Sequence, residues 1–238
     1  AGGDLNALVG LFGFAAGIAV GGMLLNRGFS LGRSYTQSRA EGTAFSAAAL
    51  ILVLIVVFLP MLLKASTSGP GSQHAPLLIS LAAGLVVGSL AQRTRLCMAG
   101  GIRDLFLFKD PTLLFGSVAV LVVAFILNLA TGSFKPGFTG QPIAHTQWLW
   151  NFLGMGLVGY GSVLLGGCPL RQTILAGEGN SDSAVTVLGF LAGAAVSHNF
   201  GLASSAQGAT AAGKIATIVG FAVITLIAVA VMKKHRRS

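Results

Sequence analysis

Charged residues are scarce in this chain: Asp, Glu, Lys and Arg make up 9% of its 238 residues, and only six are acidic. An ordinary soluble domain carries about 25%. No carboxylate pair, metal-ligand spacing or nucleotide-binding loop stands out, so the motifs of a conventional enzyme are missing. Cysteine is nearly absent too, with only Cys97 and Cys168. What fills the space is apolar: 54% hydrophobic residues and a mean hydropathy of +0.83. That balance is one of an integral membrane protein. The net charge of +9 would suggest nucleic acid, but the positions of the charges mark membrane orientation instead.

Ala7–Leu25, Ala44–Leu63 and Ile215–Met232 approach or exceed the roughly 18 apolar residues of a spanning helix. Thr112–Ala130 and Ala184–Val196, extended to Leu202, are nearly as long. Pro76–Ala91 and Trp148–Leu165 are short and interrupted by glycine, so each reads as a full span or a re-entrant half. The count is therefore five to seven. With seven crossings, Arg27, Arg33, Arg39, Arg93, Arg95, Arg103, Lys109, Arg171 and the basic tail share one face, and Lys64, Lys135 and Lys214 take the other. Twelve charges against three predict a cytoplasmic C-terminus. Pro60 predicts a kink or exit. Pro136 and Pro142 mark a loop, and His74 reads as solvated. Trp148 and Trp150 read as an interfacial belt. His198 and Asn199 form a candidate intramembrane polar pair.

The stretch that organises the rest is Gly154–Arg171, GMGLVGYGSVLLGGCPLR. Gly166 and Gly167 let a backbone or ligand approach Cys168 closely. Pro169 suits the first position of a new helix, where its missing N–H costs nothing. Cys168 would then sit at a helix N-terminus with Arg171 in the first turn, a place that favours an anion. The plainer reading is a tight turn with Cys168 as a small core residue. Both stay open on this stretch alone. A second motif, Gln92–Asp104, repeats the ingredients with Cys97, Gly100, Gly101 and Arg103.

Internal similarity ties these pieces together. Residues 13–20, GFAAGIAV, match residues 189–196, GFLAGAAV, at six of eight positions, an offset of 176. The counterpart of Cys168 would fall about eight residues before Ala1, so the expectation is that an upstream portion of the parent protein precedes this chain. A GxxVG pattern at Gly17–Gly21 recurs at Gly84–Gly88, with Ser30 and Cys97 each nine residues on, which places Ser30 where another copy carries a thiol. An odd number of crossings between the duplicated helices makes the repeat inverted, as in transporters with sites at broken helices. The expected fold is an all-α integral membrane protein, a multi-span bundle with inverted repeats and re-entrant or broken glycine-rich helices. It forms one membrane domain, 1–238, with repeat-related segments 9–43, 76–110 and 148–202.

The runs LAGLVVGSLAQRTRLCMAGGIRD and GYGSVLLGGCPLR and the repeated GFxAGxAV helices resemble the YeeE/YedE family, most closely its branch of selenium transporters. The resemblance covers nearly the whole chain. It implies an inverted-repeat membrane permease for a sulfur- or selenium-containing anion such as thiosulfate, taken up along a line of cysteines whose positions match Cys97 and Cys168. The residue patterns described above add Gly166, Gly167, Arg171, Arg103 and Ser30 to that path, and none of them calls for a cofactor or a metal. It admits a soluble TusA/YedF-like sulfur carrier as partner, and a location in the inner (plasma) membrane. The alternative is a membrane-bound transferase that relays persulfide or selenide through a thiolate. A purely structural subunit is a weaker third reading. A third cysteine motif of the family is absent, and Ser30 stands at the echoed position.

Overall fold

The computed structural model describes residues 1–32, 34–59, 75–141 and 144–235. Arg33, Pro60, Lys64, His74, Pro142, Arg236 and Arg237, all singled out above, lie outside them. Among the described residues the chain is all-α, with nine helices: α1 (Leu5–Asn26), α2 (Arg39–Phe58), α3 (Leu77–Thr94), α4 (Met98–Phe108), α5 (Thr112–Ala130), α6 (Trp148–Leu164), α7 (Pro169–Gly177), α8 (Ser181–Asn199) and α9 (Ala211–His235). Among the described residues, five stretches are long and apolar enough to cross a membrane: α1, α3–α4, α5, α6–α7 and α9 as far as Lys233. α2 and α8 cover the two remaining apolar windows. The 22 residues of α1 span about 33 Å, matched to a hydrocarbon core of about 30 Å. α5 has no fully buried side chain, and beyond Leu113 and Leu114, which pack on α4, most of its Val, Leu, Ile and Phe are exposed as on a lipid-facing helix.

The described residues divide into two compact units, one of residues 1–33, 96–171 and 189–238, the other of 34–95 and 172–188. In the first, α1 packs on α6 through glycine. Gly13, Gly17 and Gly21 recur every fourth residue of α1. A methyl group at Gly13 would run into the carbonyl oxygen of Phe152, one at Gly17 into that of Gly156, and one at Gly159 of α6 into that of Phe14. Lipid offers no hydrophobic force between helices, so close backbone approach supplies the attraction. α9 also packs on α6. Tyr160 stacks on Phe221 at 6.2 Å, and its hydroxyl is 3.3 Å from Thr225 Oγ1. Gly10 faces Met155 while Gly21 faces Val163, and Trp150 meets Lys214 while Tyr160 meets Thr225, so α1, α6 and α9 run parallel.

Buried Asn6 ties down the end where α1 and α6 begin. Its amide donates to the Phe138 carbonyl at 2.7 Å and its Oδ1 accepts the Trp148 indole N–H at 3.0 Å. α4 and α5 form a hairpin, in which a methyl at Gly101 would come within 2.8 Å of the Leu114 nitrogen. Asp110 accepts the Thr112 N–H and hydroxyl at its turn. In the second unit, Ser38 and Glu41 form a capping box at the start of α2. The Gln37 N–H donates to Gly179 and the Ser181 N–H to Tyr35.

Candidate functional site

Each short apolar window that ended in cysteine is a helix, a break and a second helix. α6 stops at Leu164, where the Gly166 N–H donates to the Val163 carbonyl and the Gly167 N–H to that of Ser162. This pair of bonds closes a helix only when the residue at 166 is left-handed, and Gly166 has φ +82°. α7 then starts at Pro169, the position its sequence predicts. α3 ends at Arg95, which is also left-handed, at φ 53° without glycine's freedom, and donates its N–H to the Gln92 carbonyl at 3.2 Å; Cys97 caps α4. In both breaks the left-handed residue stands two positions before the cysteine, and the new helix begins one position after it.

The two breaks bring the thiols together. Cys97 Sγ lies 3.5 Å from Cys168 Sγ, and it accepts the Gly100 N–H at 3.2 Å and the Cys168 N–H at 3.4 Å. Cys97 directly precedes α4 and Cys168 directly precedes α7. The two sulfurs therefore meet where two helix N-termini, the positive ends of their dipoles, come together. Both are free and buried, at 5% and 8% exposure, among Phe14, Ile18, Ala99, Ile102 and Val163. Sulfur is a weak acceptor, and serine or aspartate would cap either helix better. The cap alone therefore gives no reason for cysteine here.

A cavity of about 570 Å³ reaches this cluster from the end where α1, α6 and α9 begin. Its inner limit is Phe14 and Met98, both packed in the thiol cluster, and its polar lining includes His145, Asn151, Ser204, Lys214 and Thr217. The Lys214 ammonium lies 5.5 Å from the centre of the Trp150 ring. His145 is 5% exposed. Its carbonyl accepts the Asn151 amide, and its Nδ1 has no hydrogen-bond partner among the described residues.

Of the residues expected on the path, Cys97, Cys168 and Gly167 are buried at this centre, Gly166 shapes it, and Arg171 is half-buried in the first turn of α7. Arg103 is bound to its neighbour Asp104 at 2.7 Å, which offsets its charge. Ser30 is exposed and its hydroxyl accepts the Gly32 N–H. Among the described residues no helix restarts after it until Arg39, and it is not part of the thiol cluster. His198 and Asn199 are exposed rather than buried as a polar pair, with the Asn199 amide donating to Ala195. Trp148 and Trp150, expected as an interfacial belt, make specific contacts: one donates to Asn6 and the other carries Lys214. Sequence reasoning missed that His145 and Lys214 line one cavity. A lysine in the first turn of the last span was the available signal for one. A lone histidine in a loop gave none for the other.

Fold and site together define a multi-pass helical membrane protein with a buried pair of thiols at two converging helix N-termini. Residues 93–235 match the family model described as Sulphur transport, and the chain belongs to that family, the YeeE/YedE group whose motifs it carries. It is 28% identical over 120 residues to the thiosulfate transporter TsuA of Escherichia coli (strain K12), a match covering 50% of this chain and 34% of that relative. It is 32% identical over 99 residues to the thiosulfate transporter TsuA of Spirochaeta thermophila, covering 42% and 29%. The chain thus spans about a third of the length of the curated relatives it matches. No solved structure matches it.

Proposed function

We propose that this chain carries the thiol-lined path of a membrane permease for a small sulfur-bearing anion of the thiosulfate kind, or its selenium counterpart. The observation that carries the reading is the Cys97–Cys168 pair, buried, 3.5 Å apart and held at two helix N-termini. Helix N–H groups supply an electropositive field that offsets the cost of desolvating an anion. The thiols add weak S–H donors and a polarisable surface, which hold a soft terminal sulfur or selenium loosely enough for it to leave. Arg171, one turn inside, adds charge. Arg103 contributes less because Asp104 accompanies it. Ser30 belongs to the path only if its loop closes over the site.

The relatives' names support thiosulfate as the first anion to test. The parallel course of α1, α6 and α9 suits the seven-crossing topology, with the basic C-terminal tail on the cytoplasmic side of the inner membrane. The identical plan of the two cysteine breaks favours repeat-related segments 76–110 and 148–202 within one membrane domain. Burial of both sulfurs keeps them from a TusA/YedF-like carrier at the surface, so such a partner would receive the anion's sulfur only after passage. The same burial weighs against a transferase. The test is uptake of 35S-thiosulfate into liposomes containing the protein, with sulfate and selenite as competitors. Saturable uptake inhibited by selenite more than by sulfate supports a soft-anion path, whereas uptake no faster than in empty liposomes overturns it.

A further inference from the structure

We infer that the cavity between the start of α1, the start of α6 and the first turns of α9 is a separate binding station for a partly hydrated dianionic oxyanion, held by Lys214 and His145 before it reaches the thiols. The proposal rests on the permease reading for its place in the path, but it assigns a second site with its own recognition chemistry.

The argument starts from charge. No Asp or Glu lines the cavity, and Lys214 has no carboxylate partner among the described residues. Its ammonium is held instead over the Trp150 ring, a contact that fixes the cation without neutralising it. Thr210 already caps the first turn of α9, accepting the Gly213 N–H at 2.9 Å, so the free positive charge here is the lysine's. The second, independent feature is His145. Its side chain is more than nine-tenths buried at the cavity wall, and Nδ1 has no partner among the described residues. A buried polar atom without a partner is costly in a finished structure, so it signals a missing ligand or water.

Size decides what kind of ligand fits. At about 570 Å³ the cavity exceeds a bare tetrahedral anion, so the anion can keep part of its water shell, bridged to Asn151, Ser204 and Thr217. No sulfur faces it except that of the methionines Met98 and Met155. The station therefore reads charge and oxygen, and sulfate should bind it about as well as thiosulfate. Softness is read only further in, at Cys97 and Cys168. Selection is thus split between two sites, and a competitor can fill the first without passing the second.

The test is calorimetric titration of sodium sulfate and sodium thiosulfate into the purified chain in detergent, in the wild type and in a Cys97→Ser/Cys168→Ser double variant. Serine keeps both helix caps. The proposal expects both anions to bind both proteins with comparable affinity. Lys214→Met and His145→Phe should each weaken binding roughly 10- to 150-fold, the range for losing a hydrogen bond to a charged group, while Lys214→Arg should retain it. In the wild type, either anion should slow acylation of Lys214 by an amine-reactive ester, read by mass spectrometry, which keeps the test open if a variant folds poorly. Loss of binding in the double serine variant would place the anion at the thiols and overturn the station. Unchanged affinity in Lys214→Met, or no protection of Lys214, would do the same. Failed uptake with intact, Lys214-dependent binding would sink the permease reading and leave the station standing.

Discussion

Replacing Gly159 with alanine tests whether the α1–α6 contact positions the thiols. A methyl group there would collide with the Phe14 carbonyl oxygen and lie 3.2 Å from the Ile18 nitrogen. Both obstacles are backbone, so no rotamer relieves them and α1 must move away. Phe14 and Ile18 also wall the thiol cluster, so the shift reaches Cys97 and Cys168. Overpacking of this kind costs about 1–3 kcal/mol. Gly161, two residues along the same helix, is the control: a methyl there would meet only Ile224 Cδ1, at 3.7 Å. Both substitutions gain the same roughly 0.5–1 kcal/mol from removing a helical glycine, so the difference between them isolates the clash. At about 2–4 °C per kcal/mol for a chain of this size, Gly159→Ala should unfold roughly 2–12 °C below Gly161→Ala. Thermal unfolding in detergent, followed by tryptophan fluorescence, measures this. Equal midpoints for the two variants would refute the glycine contact as drawn.

Two further outcomes follow from named contacts. Mild oxidation with copper phenanthroline should join Cys97 and Cys168, with loss of both thiol protons and two electrons to the oxidant. The mass of the chain then falls by two hydrogens, and thiosulfate uptake stops until a reductant is added. An unchanged mass would contradict the 3.5 Å separation. Asp110, in the turn between α4 and α5, has its pKa lowered by bonds from the Thr112 hydroxyl and N–H. A depressed carboxyl contributes stability above its unfolded pKa and loses it as pH falls through the folded one. The midpoint gap between wild type and Asp110→Ala should therefore be present at neutral pH and narrow in acid below the ordinary carboxylate range. A gap that widens in acid would show the sign to be wrong.

Much of the helical frame is legible in residue order because lipid leaves few choices: long apolar runs must be helices, and charges must stay at their ends. The Cys168 break is legible as well. Two glycines followed by Cys-Pro can close one helix and open another, and Pro169 begins α7. The Cys97 break is less so, because the left-handed position falls on Arg95, where composition gives no hint. What the sequence cannot show is that two breaks 71 residues apart face each other, since that depends on the packing of α1, α4 and α6. Ser30 lies apart from the thiols because its GxxVG echo copies a helix, and the next described helix starts only at Arg39. His145 and Lys214 line one cavity only through the parallel course of α6 and α9, so no local pattern joins them.

The central claim is that Cys168 acts as a weak, non-covalent donor on an anion path, and substitution at that position tests it most directly. Serine offers a hydroxyl and a better helix cap, so Cys168→Ser should fold at least as well as wild type and keep part of the uptake. Alanine removes the donor and costs the cap about 0.5–2 kcal/mol. Losing one buried hydrogen bond to the anion costs about 1–3 kcal/mol, roughly 5- to 150-fold in passage. Uptake of 35S-thiosulfate into liposomes, normalised to folded protein, should therefore rank wild type above Cys168→Ser and Cys168→Ser well above Cys168→Ala. Equal and complete loss in both variants, together with a persulfide trapped on the wild-type thiol, would contradict this account and point to covalent sulfur relay.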